Sequence, residues 1–576
     1  MDASTVNQKP PASGNIQPYY NYGKDSKDKE KELITLLDLM FNSLRAQRSS
    51  WETIWLDIMD YIMPDRGDFY WYPNVPKLNR FDNIVDATAT RALNDAAAGF
   101  QAGLTSAARP WFKLTLLNTD KLKSQKVKEW LYTVEQLIYK VFNTSNFYPQ
   151  THITYQDDLS FGTSCMLVDD DPKDVINCKV FTTGEYWLQQ NENNEVDTMF
   201  RLFYMTARNM IRMFGDKVPQ EIRTIAEKNP YQWFRVMHAV MPNENYNPTL
   251  WDNRYKKFKS IYYTYEGTRT ILRESGYETN PIIATRFFRI SQNVYGICPA
   301  MMAIGSVKML QEMKIGRLNA VHQQLDPAML FPDTLIAKPP STIAGSANFV
   351  SLQEAEQIKK VFDFNFDIQG ATLSIEDERN LIRSILYSDV ISFFLNNPRS
   401  DRTAQEVSAI DQEKLLLFGP VIENQIHEKL EKIIERTFDA LDRGGKLPPV
   451  PEELAEESIE IEFISLFAQA QKYIGVRSIE GALGIIGAFA QIDKQAIDVV
   501  NVDNGIELAC DMMGTPPPML NSRERIKEIR QQRSAMEQQQ MAAQMAQQQA
   551  QTAATTATAS KDMAAANMVG GGESSV

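Results

Sequence analysis

A chain of 576 residues that is 43% hydrophobic, 10% aromatic and 23% charged can bury a large core and divide into several domains, which excludes a wholly disordered protein. Its 60 Lys+Arg against 73 Asp+Glu give a formal net charge of -13, which argues against a protein that grips nucleic acid over its whole surface, because phosphate affinity comes from cations that displace counterions. The most apolar stretch, Gly481 to Ile492, is too short to cross a bilayer, and the N-terminus has neither a basic start nor an apolar run. No membrane contact is expected, and the expected compartment is a reducing cytoplasm. Cys165, Cys178, Cys298 and Cys510 form no C-x-x-C pair and are expected as small buried hydrophobes.

In chain order, Met1 to about Asp28 reads as an unstructured tail. Leu33, Leu36, Leu37, Met40, Phe41 and Leu44, then Trp51, Ile54, Trp55, Ile58 and Met59, recur at helical spacing until Pro64. A loop rich in Tyr, Trp and Pro follows, and Asp86 to Thr105 resumes as an Ala-rich helix. From Phe161 to Tyr265 short runs such as Cys165–Val168, Glu185–Leu188 and Ser260–Tyr265 alternate with turn residues and predict strands. Ala300 to Gln324 predicts a helix with Ile304, Val307, Leu310, Met313, Leu318 and Val321 as its stripe, ended by Asp326-Pro327.

Residues 327–373 read as a Pro- and Gly-spotted insertion with a strand candidate at Val361–Phe366. Ser374 with Asp377 predicts a capping box opening a helix striped by Leu381, Ile382, Ile385, Leu386 and Val390. Asn396 to Asp401 is a turn-rich break, and Thr403 with Glu406 opens the next helix. That helix meets a kink at Gly419-Pro420, resumes along Ile422, Ile426, Leu430, Ile433, Ile434, Phe438 and Leu441, and ends at Gly444-Gly445. A strand is predicted at Ser458–Phe467, helices to Met513, and a basic helix after Asn521-Ser522. Gln531 to Val576, rich in Gln, Ala, Met and Thr, reads as low complexity in which some helix persists, with a flexible Gly-Ser end.

Catalytic patterns are sparse. No phosphate-binding G-x-x-x-x-G-K-[ST], H-E-x-x-H or G-x-S-x-G occurs, and His152, His238, His322 and His427 read as surface or capped core residues. Asp169-Asp170-Asp171 before Pro172 is the best string for a hard cation, yet a solvated turn between strands is the favoured reading, and Asp157-Asp158 is read the same way. The Phe69-Tyr70-Trp71-Tyr72 run lacks interleaved cations, which favours packing or a subunit contact over base stacking. Arg523 to Arg533 is read as a solvated helix face, with Glu524 placed to pair with Lys527 and Glu528 with Arg525.

Two long strings resemble the portal proteins, the head-to-tail connectors of short-tailed (podovirus) phages. One runs from Asp86-Ala-Thr-Ala-Thr-Arg-Ala-Leu-Asn-Asp95 into Gly103-Leu104-Thr-Ser-Ala-Ala-Arg-Pro-Trp-Phe-Lys-Leu114. The other runs from Arg402-Thr-Ala-Gln-Glu-Val407 through Glu413-Lys-Leu-Leu-Leu-Phe-Gly-Pro-Val421 to Ile434-Glu-Arg-Thr-Phe438 and Gly445-Lys-Leu-Pro-Pro449. The resemblance implies an α+β, mainly helical portal fold assembled as a ring of twelve. It implies a flexible tail over 1–29, a wing over 30–299, a first stem helix over 300–326, a clip over 327–373 and a second stem helix over 374–395. A tunnel loop over 396–402, a long bent wing helix over 403–444, a crown over 445–535 and a low-complexity tail over 536–576 complete it.

The same resemblance places Asn396, Asn397, Arg399 and Arg402 at a DNA channel, and Asp333, Lys338 and Ser341 among clip contacts for a terminase large subunit and later for adaptor and tail proteins. It implies double-stranded DNA in the channel, major capsid and scaffolding proteins as assembly partners, a virion location at one capsid vertex, no cofactor and no catalysis. Twelve helices about 10 Å apart set their axes on a circle roughly 38 Å across and leave roughly 28 Å free, wide enough for a duplex of about 20 Å. The competing readings are a metal-dependent nuclease using Asp157, Asp158 and Asp169–Asp171, and a helical scaffold without a DNA channel.

Overall fold

The computed structural model describes residues 26–67, 81–117, 124–250, 252–343, 345–361, 367–388, 419–454, 459–465 and 523–569. The chain divides into two units, the first made of Met1–Leu114, Val134–Pro448 and Ile461–Ala488, the second of Thr115–Thr133, Pro449–Glu460 and Phe489–Val576.

The first unit is built on two antiparallel sheets. Helix α1 (Ser26–Tyr61) begins slightly ahead of the expected start, and α2 (Thr88–Leu104) follows the loop. Strand β1 (Phe112–Leu116), helices α3 (Gln125–Thr144) and α4 (Phe147–Phe161), and strands β2 (Thr163–Asp171), β3 (Val175–Phe181), β4 (Tyr186–Gln190) and β5 (Val196–Thr206) come next. Helices α5 (Ala207–Phe214) and α6 (Gln220–Lys228) precede β6 (Trp233–Pro242), β7 (Phe258–Thr264), β8 (Ile271–Tyr277) and β9 (Ile282–Arg286). The sheet orders are β4-β5-β6-β7-β8 and β3-β2-β9.

Alternation along the strands explains how the larger sheet is covered on both faces. Met237 and Ala239 of β6 and Ile261 and Tyr263 of β7 point to one face, where Leu37, Phe41 and Leu44 of α1 pack with Trp187 and Phe200. Val236 and Tyr262 point to the other face and meet Met210 and Phe214 of α5 and Ile222 of α6. Each such fully buried large side chain contributes about 1.5 to 3 kcal/mol. Arg48 clips α1 to the sheet: its guanidinium lies 3.9 Å over Trp187 and donates to the carbonyls of Gly184 at 3.0 Å and Tyr186 at 2.7 Å. The string Trp111-Phe112 of the first motif is core: Trp111 stacks with Phe142 at 5.8 Å and Phe147 at 6.2 Å, and Tyr139 accepts from the backbone N–H groups of Trp111 and Phe112.

Helix α7 (Pro299–Leu325) occupies the span expected of it and ends at Asp326. Its inner face is made of Ala300, Ala303, Val307, Leu310, Gln311 and Ala320, so the stripe is narrower and richer in small residues than expected, and Leu318 is exposed. The excursion that follows holds a two-residue ladder between β10 (Met329–Leu330) and β11 (Lys359–Lys360) and the short α8 (Leu352–Gln357). Helix α9 (Ile368–Ile385) begins six residues before the expected capping box. Asp367 caps it by accepting from the N–H groups of Gln369 and Gly370, both at 3.0 Å, while Ser374 sits inside the helix and donates back to the Gly370 carbonyl. An earlier carboxylate wins the cap because an ionised acceptor at the dipole's positive end binds more strongly than a hydroxyl.

Helix α10 (Gly419–Gln425), a π-helical turn (Ile426–Leu430) and α11 (Glu431–Arg443) form one rod. The described irregularity is this π turn; the stretch from Thr403 up to the expected Gly419-Pro420 kink lies outside the described residues. The rod ends as expected: Lys446 N–H donates to Leu441 O at 3.0 Å, Gly445 N–H to Asp442 O at 2.8 Å, and Gly445 takes φ 59°, the left-handed conformation of a Schellman cap. Strand β12 (Ile459–Phe463) pairs with β1, and Lys113 meets Glu462 across the ladder at 3.0 Å.

The second unit carries the helix Arg523–Val569, 47 residues long. The low-complexity stretch is therefore helical well past Gln531, a correction to the tail expected there. Ala, Gln, Met and Glu all favour helix, and Thr555 and Thr556 donate to the carbonyls four residues back, satisfying their hydroxyls on the helix itself.

Candidate functional site at the helical hairpin and its excursion

Helices α7 and α9 pack against each other and α9 packs against α2, and one aspartate just before α2 ties the three together. Asp86 is almost fully buried just before α2, and its Oδ1 accepts from Thr88 N at 3.0 Å and Thr88 Oγ1 at 2.5 Å. Its Oδ2 accepts from Arg379 of α9, Nη2 at 2.8 Å and Nε at 3.1 Å, and faces Lys314 Nζ of α7 at 3.3 Å. Gln311 of α7 completes the knot, accepting from Asp86 N at 2.7 Å and donating to Asp86 O at 3.0 Å. Burial alone raises this carboxyl, but the bonds from Thr88 and the Arg379 guanidinium outweigh it and bring its pKa down to about 2.

The excursion between α7 and α9 carries Asp333, Lys338 and Ser341, all exposed. Asp333 opens a short 3-10 turn after Pro332, and Lys338 closes it by donating its N–H to Leu335 O at 3.1 Å. Ser341 is engaged inside the loop: its N–H donates to Asn348 Oδ1 and its carbonyl accepts from Asn348 Nδ2, both at 2.7 Å. Around these polar groups stand apolar side chains open to solvent: Ile336 and Ile343 each 76% exposed, Leu352 85% and Phe349 96%. Asn396, Asn397, Arg399 and Arg402 lie outside the described residues, as do Cys510, Phe69–Tyr72 and residues 362–366 of the expected strand.

The carboxylate pairs are structural. Asp157 and Asp158 were expected on a solvated turn; both are buried on the inner side of α4, and each is matched with a cation. Arg66 Nε donates to Asp157 at 2.9 Å, and Lys429 Nζ lies 2.8 Å from Asp158 Oδ2. Burial raises the Asp157 pKa to about 6, with Arg66 opposing the rise. Asp169, Asp170 and Asp171 sit in β2, with Asp171 accepting from Lys173 N and Asp174 N to make the expected turn. Asp169 pairs with Lys179 and Tyr277, and Asp170 with Arg436 and Arg443. Among the described residues no three acids, histidines or cysteines stand together as metal ligands, so the nuclease reading gains no support. Cys165, Cys178 and Cys298 are buried, and burial pushes the Cys178 and Cys298 thiols up to about 12. His238 is a buried core residue hydrogen-bonded to Ser260 at 2.9 Å.

The model of the family described as bacteriophage head to tail connecting protein matches residues 35–520, a span that includes the Asp86 knot, the hairpin and its excursion. The chain belongs to this family. Among its relatives, a "Probable portal protein" of Bordetella phage BPP-1 is 33% identical over 508 residues, covering 87% of this chain and 91% of that protein. A "Portal protein" of Salmonella phage epsilon15 is 33% identical over 501 residues, covering 86% and 90%. Phage portal proteins are capsid components that work as connector oligomers with capsid and tail partners, and no described helix here is long and apolar enough to cross a membrane.

Within this portal-family chain, sequence reasoning missed the knot. It took Asp86 as the start of an Ala-rich helix and Lys314 as one charge among several on α7. One signal was present: Gln311 follows Leu310 on the otherwise apolar inward face of α7, and a buried amide there requires polar partners.

Proposed function

We propose that this chain forms a dodecameric portal ring at one vertex of a phage capsid and provides the channel through which DNA is packaged and ejected. In this reading α7 and α9 are the stem, the residues between them the clip, and Asn396, Asn397, Arg399 and Arg402 face the channel. The clip docks a separate terminase motor during packaging and adaptor and tail proteins afterwards, with Asp333, Lys338 and Ser341 as candidate contacts. The ring also helps nucleate the shell with major capsid and scaffolding proteins in the host cytoplasm. The chain itself hydrolyses nothing, since the motor supplies the ATP-driven work.

The observation that carries this reading is the excursion between two packed helices in a chain of the connector family. Its Ile336, Ile343, Phe349 and Leu352 are exposed together, and apolar groups in that state call for a protein partner. The net charge of -13 fits the channel role, because a wall with few cations makes no long-lived phosphate contacts as DNA slides past it. Cryo-electron microscopy of the purified protein tests it: a closed ring near twelve times the monomer mass with a duplex-wide hole is expected, and a persistently small particle that cleaves DNA would overturn it. Arg399→Ala and Arg402→Ala are expected to leave the ring intact and to alter DNA retention or packaging. Normal packaging and retention in both would remove the arginines from that role.

A further inference from the structure

We propose that the rod Gly419–Arg443 is a two-register device in which buried charges hold the π turn Ile426–Leu430 in place. Release of those charges lets the extra residue migrate toward Gly419 and turns the residues it passes, up to Gly419, by about 100° about the helix axis.

The cause of the π turn is tertiary. Its five residues, Ile426-His427-Glu428-Lys429-Leu430, include neither Pro nor Gly, and both flanks are helical, with φ -63° and ψ -37° at Gln425 and φ -58° and ψ -51° at Glu431. An uninterrupted α-helix spreads three successive residues over about 200° of arc, so they cannot all face one neighbour. Here Glu428, Lys429 and Leu430 are all buried. The wider π turn brings them in together, and the two charged ones reach different partners.

Glu428 goes to the end of β9. It accepts from the Arg286 backbone N–H at 2.8 Å, from Nε at 3.1 Å and from Nη2 at 2.5 Å. Lys429 goes to α4, where its fully buried ammonium meets Asp158 Oδ2 at 2.8 Å and lies 4.1 Å over the Tyr155 ring. A slip of one residue would bring Lys429 toward Arg286, cation against cation, so the alternation of sign specifies the register. Stability alone is a poor reason for such pairs, since apolar replacements of similar volume are often as stable.

The Asp158 side is the half built to let go. Gln425 Nε2 also donates to Asp158 Oδ2 at 3.1 Å, yet Asp158 Oδ1 and Gln425 Oε1 accept no protein hydrogen bond although both residues are buried. Among the described residues these buried acceptors are unsatisfied, which raises the free energy of this register. Glu428, with three bonds from Arg286, keeps its place. The two registers concern the described rod alone and do not rest on the proposed function.

Hydrogen exchange on the full-length protein tests this independently of DNA. In the double variant D158N/K429M, which keeps the volume of each side chain and removes both charges, peptides covering 419–430 should exchange at least tenfold faster or split into two mass envelopes. Peptides from β5 and β7 should be unchanged. Deletion of His427, an exposed residue of the turn, removes the extra residue, so peptides covering 419–430 should show a single mass envelope with no second register. Unchanged exchange at 419–430 in the double variant, two mass envelopes in the deletion, or acceleration spread evenly over the sheet, would overturn the proposal. If the double variant does not fold, the deletion decides alone.

Discussion

At the scale of single residues, two buried carboxyls set opposite pH dependences. Asp86 has its folded pKa held at about 2, below the ordinary 3.8, so its contribution is present above the unfolded value and is lost as pH falls through about 2. Asp86→Asn keeps the shape but weakens the bonds to Arg379 and Lys314. It should lower unfolding free energy at pH 7 by about 1 to 2 kcal/mol, after allowance for solvent screening, and flatten the loss between pH 4 and 2 in urea titrations. Glu135 behaves in the reverse sense. Burial raises it from 4.5 to about 7, with a backbone bond to Leu114 and the Lys113 charge opposing. The folded state therefore keeps a proton that the unfolded chain has released, and stability falls as pH rises from 4.5 through 7. Glu135→Gln should remove that slope and exceed the wild type by about 2 to 3 kcal/mol at pH 8, measured in the same titrations. An unchanged slope would mean that the carboxyl reaches solvent on ionising.

At the scale of elements, the junction from α4 to β2 depends on a crossing of two backbones. Gly162 takes φ 78°, and a Cβ there would stand 2.1 Å from the Gly296 carbonyl oxygen. Gly162→Ala should therefore destabilise by at least about 3 kcal/mol, combining a disfavoured conformation with a backbone clash, and thermal melting checks it. Most elements were legible from periodicity and turn residues: the α7 span, the strand run at β7 and the Gly444-Gly445 stop all appear where the residues point, and the α1 stripe does so except at Leu36, which is exposed. What periodicity could not convey was the burial of charged groups. Asp157 and Asp158 of α4 read as solvent-facing because they are charged, when they are matched inside by Arg66 and Lys429, residues 91 and 271 positions away. The Asp86 knot was hidden for the same reason, because its partners Gln311 and Arg379 become neighbours only after the hairpin has packed. Excess helix at Gln531 to Val569 is the reverse case: propensity carried it where low complexity suggested a tail.

At the scale of the whole molecule, the excursion between α7 and α9, proposed as the clip, presents a test that separates folding from assembly. Phe349 and Leu352 project from the excursion with almost no cover from their own chain, so replacing them leaves the core intact and should change monomer stability by no more than about 0.5 kcal/mol. If they are the contacts that join neighbouring copies, burial of each is worth about 1.5 to 3 kcal/mol per interface, and a carboxylate in its place adds a desolvation penalty. A closed ring repeats the same interface around its whole circumference, so a modest loss at one contact recurs at every one. The pair Phe349→Asp and Leu352→Asp should therefore keep the wild-type circular dichroism spectrum and a cooperative unfolding transition while shifting the particle from ring to monomer in mass photometry. Intact rings that no longer recruit a terminase or adaptor would move these side chains from the subunit contact to the docking face. Intact rings with normal recruitment would leave the exposed apolar cluster without a role in either, and the clip reading of residues 327–373 would fall with it.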